Sequence, residues 1–180
     1  IPIIYEHNIH GVKDYDKAKV SALKKLDAEK HNLFTVDDPE QLLKYSPKYN
    51  EIIKRCNAMK GLSFIYTEYK TLEGIAVLEI ILKANGYAKF LLDKNDSDEY
   101  IQVFEHPDDK DKPKFAFWGG DEEKSDIIRK VYNNQFDLLP TTLRQELERH
   151  GKNNIYGDVI KILMTTKSGA EGIDLQNVRQ

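Results

Sequence analysis

The feature that most constrains this chain is an alternation. Short runs rich in β-branched and aromatic residues, Leu62–Tyr66, Lys114–Trp118 and Val159–Met164, are separated by stretches whose apolar residues recur at helical spacing. Parallel strands need a crossover of a dozen or more residues, and each gap is long enough to hold one. The pattern predicts an α/β fold: an open parallel sheet flanked by helices, with those three runs as its central strands. The helices have start and stop signals of their own. Ser46-Pro47 opens one whose stripe is Ile52, Ile53, Cys56 and Met59 and which Gly61 ends. Thr71 is placed to cap a helix through Asn85 with Ile75, Leu78, Ile81 and Leu82 on its stripe. Asp121 caps a third, with Ile127, Ile128, Val131 and Tyr132, and a shorter one runs from Pro140 to about Arg149. Upstream there is one helical candidate, between Lys13 and Glu29. Tyr87–Leu92 and Tyr100–Phe104 read as strands around the polar turn Asp93–Glu99, an inserted β-hairpin. Glu105–Lys112 reads as a solvated loop, and the Asn-rich Lys152–Asn154 region as an insertion.

Composition narrows the classes of function. With 40% hydrophobic and 32% charged residues, and no apolar run of bilayer length, the sequence predicts no membrane span. Lys and Arg number 27 against 30 Asp and Glu, so any contact with a polyanion has to be local. Cys56, the single cysteine, has no partner for an internal disulfide and falls in an apolar helical pattern, as a buried, inert thiol in a reducing interior would. His7, His10, His31, His106 and His150 are scattered, which argues against zinc. The first residue is Ile1, and the stretch after it lacks a signal-peptide pattern, as in an excised or processed piece.

In an open parallel sheet, ligands bind beside the carboxyl ends of the strands. Three unusual segments are expected there: Thr67-Glu68-Tyr69, Trp118-Gly119-Gly120 and Thr165-Thr166-Lys167-Ser168-Gly169. They offer hydroxyls, backbone amides that glycine leaves approachable, the starts of helices, and in Lys167 a local cation, the means by which a mildly acidic protein holds phosphates. Taken singly, Gly119, Gly120 and Gly169 also fit plain tight turns; their convergence favours a site. Tyr69 and Trp118 are candidates for base stacking, whereas Tyr66, within a strand, is expected in the core. Asp121-Glu122-Glu123-Lys124 reads as a helix cap, because Gly119-Gly120 separates it from the strand that an acidic Mg²⁺ box would directly follow. No G-x-x-x-x-G-K-[ST] loop, G-x-S-x-G elbow or convincing Cys/His pair is present, so no nucleotide hydrolysis or covalent catalysis is expected of this piece alone.

Thr166-Lys167-Ser168-Gly169-Ala170-Glu171-Gly172-Ile173-Asp174-Leu175 resembles motif V of superfamily 2 helicases and translocases, and Leu62–Tyr69 resembles the motif IV strand of the same second RecA-like domain. Together with Ser46-Pro47-Lys48-Tyr49, Glu73-Gly74, Asn85-Gly86-Tyr87 and Asn177-Val178-Arg179-Gln180, these segments are similar to the nucleic-acid-dependent ATPases of large nucleocytoplasmic DNA viruses, the poxvirus NTP phosphohydrolase I and early transcription factor group. The resemblance covers residues 45–180. It implies a RecA-like second motor lobe, cut before motif VI, with residues 1–44 as a connecting segment. It further implies ATP and Mg²⁺ held mainly by an N-terminal RecA-like lobe, DNA or RNA as partner, possible contact with viral transcription machinery, and an intracellular setting, host cytoplasm or virion. On the same grounds Thr166 and Gly169 are expected on the nucleic-acid side and Gly172 and Asp174 on the nucleotide side, while Thr67, Gly119, Gly120 and Lys167 are expected on the nucleic-acid side from their place at the strand ends. The competing expectation is a non-catalytic α/β module that binds a phosphate-bearing ligand or a protein.

Overall fold

The computed structural model describes residues 12–71, 74–149, 152–167, 173–176 and 178. The chain divides into two compact units, one drawn from residues up to Asn57 together with Tyr69–Asn85, the other from Ala58–Glu68 together with the chain from Gly86 onward.

The first unit is helical. Helix α1 (Val12–Ala28) is followed by the single turn α2 (Lys30–Leu33), by α3 (Pro47–Ala58) and by α4 (Ile75–Ala84). The Ser46 hydroxyl accepts from the Tyr49 amide at 3.3 Å and opens α3, whose Asn50, Ile53 and Cys56 are buried three residues apart. Helix α4 is apolar around most of its circumference and buried to match. It starts later than the Thr71 cap predicts. The Thr71 carbonyl is spent on a turn, accepting the Gly74 amide at 2.9 Å, and Ile75 N–H bonds Tyr69 O at 3.1 Å. Only glycine fits position 74, since a Cβ there would lie 1.7 Å from the Tyr69 carbonyl oxygen. At the far end Asn85 donates to Ile81 O and Phe34 O, both at 2.8 Å, and accepts from Val36 N–H at 3.0 Å, so one amide both ends α4 and anchors the chain after α2.

The second unit contains a four-stranded, all-parallel sheet in the order β1 (Ser63–Thr67), β6 (Ile162–Thr166), β5 (Lys114–Trp118), β2 (Ala88–Lys89). The α/β class and the parallel sheet flanked by helices stand as expected, an architecture consistent with a RecA-like fold. β5 matches its predicted span residue for residue. β6 does not: it begins three residues after Val159 and runs through Thr166, because the amides of Val159 and Ile160 are taken by the Asn154 side chain at 3.0 and 2.8 Å. Nor is β1 central; among the named strands it lies at the edge, with one isolated parallel bridge from Leu62 to Val178. All five residues of β6 are buried, as expected of a strand covered on both faces.

The predicted hairpin is present as a separate two-stranded sheet, β3 (Leu91–Lys94) with β4 (Tyr100–Val103). The single strand expected over Tyr87–Leu92 is instead divided. Phe90 N–H still bonds Phe115 O at 2.8 Å in the parallel sheet, and from Leu91 the chain pairs antiparallel with β4. Helices α5 (Glu122–Tyr132) and α6 (Thr141–Arg149) enclose the core with the sheet: Ile127, Val131, Tyr132, Leu143 and Leu147 pack with Leu62, Ala116 and Leu163. The Tyr132 hydroxyl reaches the Ser63 carbonyl at 2.9 Å and ties α5 to β1.

Two segments expected to be loose are organised. Within Glu105–Lys112 the chain makes a 3₁₀ turn, Pro107–Asp111, around a buried Asp109 whose carboxylate accepts from His106 N–H at 3.1 Å and Lys112 Nζ at 2.8 Å. In the Lys152–Asn154 region Asn154 is fully buried with all four hydrogen-bonding positions of its amide filled, so the segment is a structural junction rather than an appended insertion.

Candidate functional site

Because β1, β6 and β5 are parallel, their carboxyl ends share one edge, and the register makes this concrete: Thr67 lies opposite Thr166, and Trp118 opposite Thr165. Thr67, Gly119, Gly120, Thr166 and Lys167 are thereby brought to a single rim. Gly169 and Gly172 fall outside the described residues.

The groups at the rim differ in what they can offer. Lys167 is exposed, and Thr67 is half-buried. Thr166 is 5% exposed, and Thr165 beside it is fully buried, its hydroxyl donating to the Trp118 carbonyl at 2.9 Å. That bond fastens the ends of β5 and β6 together. Gly119 has φ +145°, and a Cβ there would meet the Phe117 ring at 3.0 Å, so glycine is needed. Its amide is already used, donating to the Ser125 hydroxyl at 3.1 Å. The start of α5 is likewise occupied from within, since Asp121 accepts from Lys124 N–H at 3.0 Å as the sequence predicts and Glu122 and Glu123 follow. At this loop the exposed backbone of Gly120, φ +89°, is what remains for a ligand.

The aromatics also sort differently from expectation. Tyr66, expected in the core, is 47% exposed, because it lies on an edge strand. Trp118, a stacking candidate, is half-buried and packs against the core, and its buried indole N–H has no partner among the described residues. Tyr69 is exposed.

Residues 173–176 lie against the end of α5. Ile173 and Leu175 pack on the core cluster, while Asp174 and Gln176 are exposed. Asn133, 3% exposed at the end of α5, donates from Nδ2 to Asp174 O and accepts at Oδ1 from Gln176 N–H, both at 2.8 Å. The helix end that presents Asn133 is a Schellman motif with Asn134 in the left-handed region, φ 59°: Gln135 N–H bonds Lys130 O at 2.9 Å and Asn134 N–H bonds Val131 O at 3.0 Å. Asn134 Oδ1 in turn accepts from Asn154 N–H at 2.6 Å. These asparagines were not singled out in the sequence, although Asn-Asn after the last residue of an apolar stripe is a helix-stop signal.

Two ionisable groups among the described residues have strongly shifted affinities. Lys114, fully buried at the opposite, amino end of β5, donates to the carbonyls of Lys110 and Lys112 at 2.8 and 3.0 Å, and burial, with Lys152 nearby, brings its pKa down to about 8. Tyr100 donates to Glu123 at 2.7 Å, and that bond, with desolvation, pushes its phenol up to about 12. Among the described residues no group of three or more His, Cys, Asp or Glu is placed to hold a metal ion, and no helix is long and apolar enough to cross a membrane.

No family model and no solved structure matches the chain. Curated proteins do. A termination factor NPH-I homolog of African swine fever virus is 29% identical over 141 residues, covering 75% of this chain and 20% of the relative. The corresponding protein of another isolate is 30% identical over 146 residues, covering 75% and 20%. An Acanthamoeba polyphaga mimivirus protein named as an ATP-dependent RNA helicase is 22% identical over 142 residues, covering 78% and 19%. The chain thus spans about a fifth of the length of the curated relatives it matches. By sequence, this chain is similar to viral NPH-I-type termination factors and to a viral protein named as an ATP-dependent RNA helicase.

Proposed function

We propose that residues 45–180 form the second motor lobe of a viral nucleic-acid-dependent ATPase acting in transcription, with residues 1–44 leading into it. The observation that carries this is the common rim: Thr67, Gly120, Thr166 and Lys167 meet at the carboxyl ends of parallel strands, and the segment resembling motif V leaves from one of those ends. The names of the relatives supply the activity class, an ATP-dependent helicase or a termination factor.

The rim residues take the nucleic-acid backbone, Lys167 supplying charge and the glycine loops close approach. By resemblance Gly169 acts with them, and Gly172 with the nucleotide. Asp174, exposed beside Asn133 at the end of α5, fits the ribose of ATP, since a carboxylate accepts hydrogen bonds from two neighbouring hydroxyls. Mg²⁺ would neutralise the phosphates in such an enzyme, and by resemblance its ligands belong to the other lobe. Closing and opening of the two lobes around ATP then alters the hold of the rim on the backbone.

Because Thr166 is nearly buried, its role passes through the position of the strand end rather than a freely offered hydroxyl. In the full-length protein, Thr166→Ala is expected to lower nucleic-acid stimulation of ATP turnover roughly tenfold or more while basal turnover stays within about twofold. Equal loss of both would rule out a role in coupling. The engaged Gly119 amide and the self-capped α5 favour a second reading, a module that binds a partner and has no motor lobe beside it. ATP turnover of the full-length protein, measured with duplex DNA, single-stranded DNA and RNA, separates the two.

A further inference from the structure

We infer that Asn133 is the positioning residue that sets how Asp174 is presented to the nucleotide, an inference that rests on the ribose role proposed above. The geometry is that of a missing strand neighbour. A side-chain amide carries both a donor and an acceptor end, and here it pairs with the carbonyl of residue 174 and the amide of residue 176, the two groups that face one side of a strand-like chain. With both bonds at 2.8 Å, the register of 174–176 against the end of α5 is fixed to one residue. A slip of one would turn Asp174 inward and expose Ile173 and Leu175, which now pack on the core.

Asn133 is itself held firmly. Its backbone amide bonds Arg129 O at 2.9 Å, and the neighbouring Asn134 side chain is locked to Asn154. Beyond the clamp, Val178 bridges to Leu62, so the segment bearing Asp174 is tied at two points. Ile173 and Leu175 supply burial without direction; the amide supplies the direction. An apolar residue at 133 would pack against the same core but would leave the Asp174 carbonyl and the Gln176 amide without these partners.

The test has two parts. In this chain, amide hydrogen exchange at Gln176 is measured for wild type, Asn133→Ala and Asn133→Asp. Loss of the acceptor in Asn133→Ala raises Gln176 exchange roughly 5- to 10-fold while Leu163 in β6 stays protected. Asn133→Asp keeps the acceptor and gives a smaller rise. Unchanged exchange at Gln176 in Asn133→Ala overturns the clamp. In the full-length ATPase, Asn133→Ala raises KM for ATP by roughly 5- to 10-fold with kcat within about twofold, and the Asn133→Ala/Asp174→Ala double variant is no worse than Asp174→Ala alone.

Additive effects in the double variant, or a parallel fall in kcat and thermal stability without a change in KM, overturn the positioning role. If Asp174→Ala itself leaves KM unchanged, the ribose role is wrong and the positioning role falls with it; Gln176 exchange still shows separately whether the clamp exists.

Discussion

Asn154 is the side chain whose removal should be felt most widely in the second unit. It is fully buried, and its amide makes four hydrogen bonds: Nδ2 to Tyr132 O at 3.0 Å and Ile160 O at 3.1 Å, and Oδ1 from Val159 N–H at 3.0 Å and Ile160 N–H at 2.8 Å. A buried hydrogen bond contributes about 1 kcal/mol net, and stranding its backbone partner costs about as much or more. Asn154→Ala strands four, so the loss is about 4 kcal/mol, a large fraction of the stability of an ordinary domain. Asn154→Asp discriminates further. It keeps an acceptor for the two amides but turns its second oxygen towards two carbonyls, which disfavours the charged carboxylate and raises its pKa above the unfolded value. Stability of that variant is then greatest in acid and is lost as pH rises through the raised pKa. Urea titrations followed by the fluorescence of Trp118, the only tryptophan, measure both effects. A loss below about 1 kcal/mol for Asn154→Ala at unchanged m-value, or an Asp variant insensitive to pH, would refute the reasoning.

Lys114, with its pKa lowered from 10.5 to about 8, makes the charged form costly in the fold, so the unfolded chain binds more protons between those values and stability rises with pH across that window. The shift corresponds to about 3 kcal/mol, and Lys114→Met should remove the rise; urea midpoints at pH 7 and pH 10 that move alike in both proteins would exclude it. Tyr100 has the opposite sign: its folded pKa is raised to about 12, so its contribution is lost as pH climbs above 10, and ultraviolet titration should find a late-ionising tyrosine that moves earlier in Glu123→Gln. Gly74→Ala forces a Cβ towards the Tyr69 carbonyl and is expected to destabilise by about 1–3 kcal/mol, seen as a lower urea midpoint; a neutral result would remove the close approach.

Much of this fold is written locally. Strand β5, the Ser46 and Asp121 caps and the hairpin all follow from propensities and hydrogen bonds that span a few residues, and the parallel rim follows from the alternation of elements. The phosphate-site candidates were legible as far as their location, because strand carboxyl ends must gather at one edge. Their chemical state was not. That Gly119 N–H is consumed by Ser125, that Thr166 is turned inward and Tyr66 outward, and that β1 is an edge depend on which strands become neighbours.

The asparagines show the division most clearly. In sequence Asn133 and Asn154 are polar residues near helix ends and loops, where asparagine is common. Only the tertiary structure brings Asn133 to Asp174 and Gln176, 41 and 43 residues away, and encloses Asn154 among four backbone groups. Periodicity records which face of an element is apolar. It does not record where a buried amide finds its partners, because those partners are backbone groups, present at nearly every residue and selected only when the chain has folded.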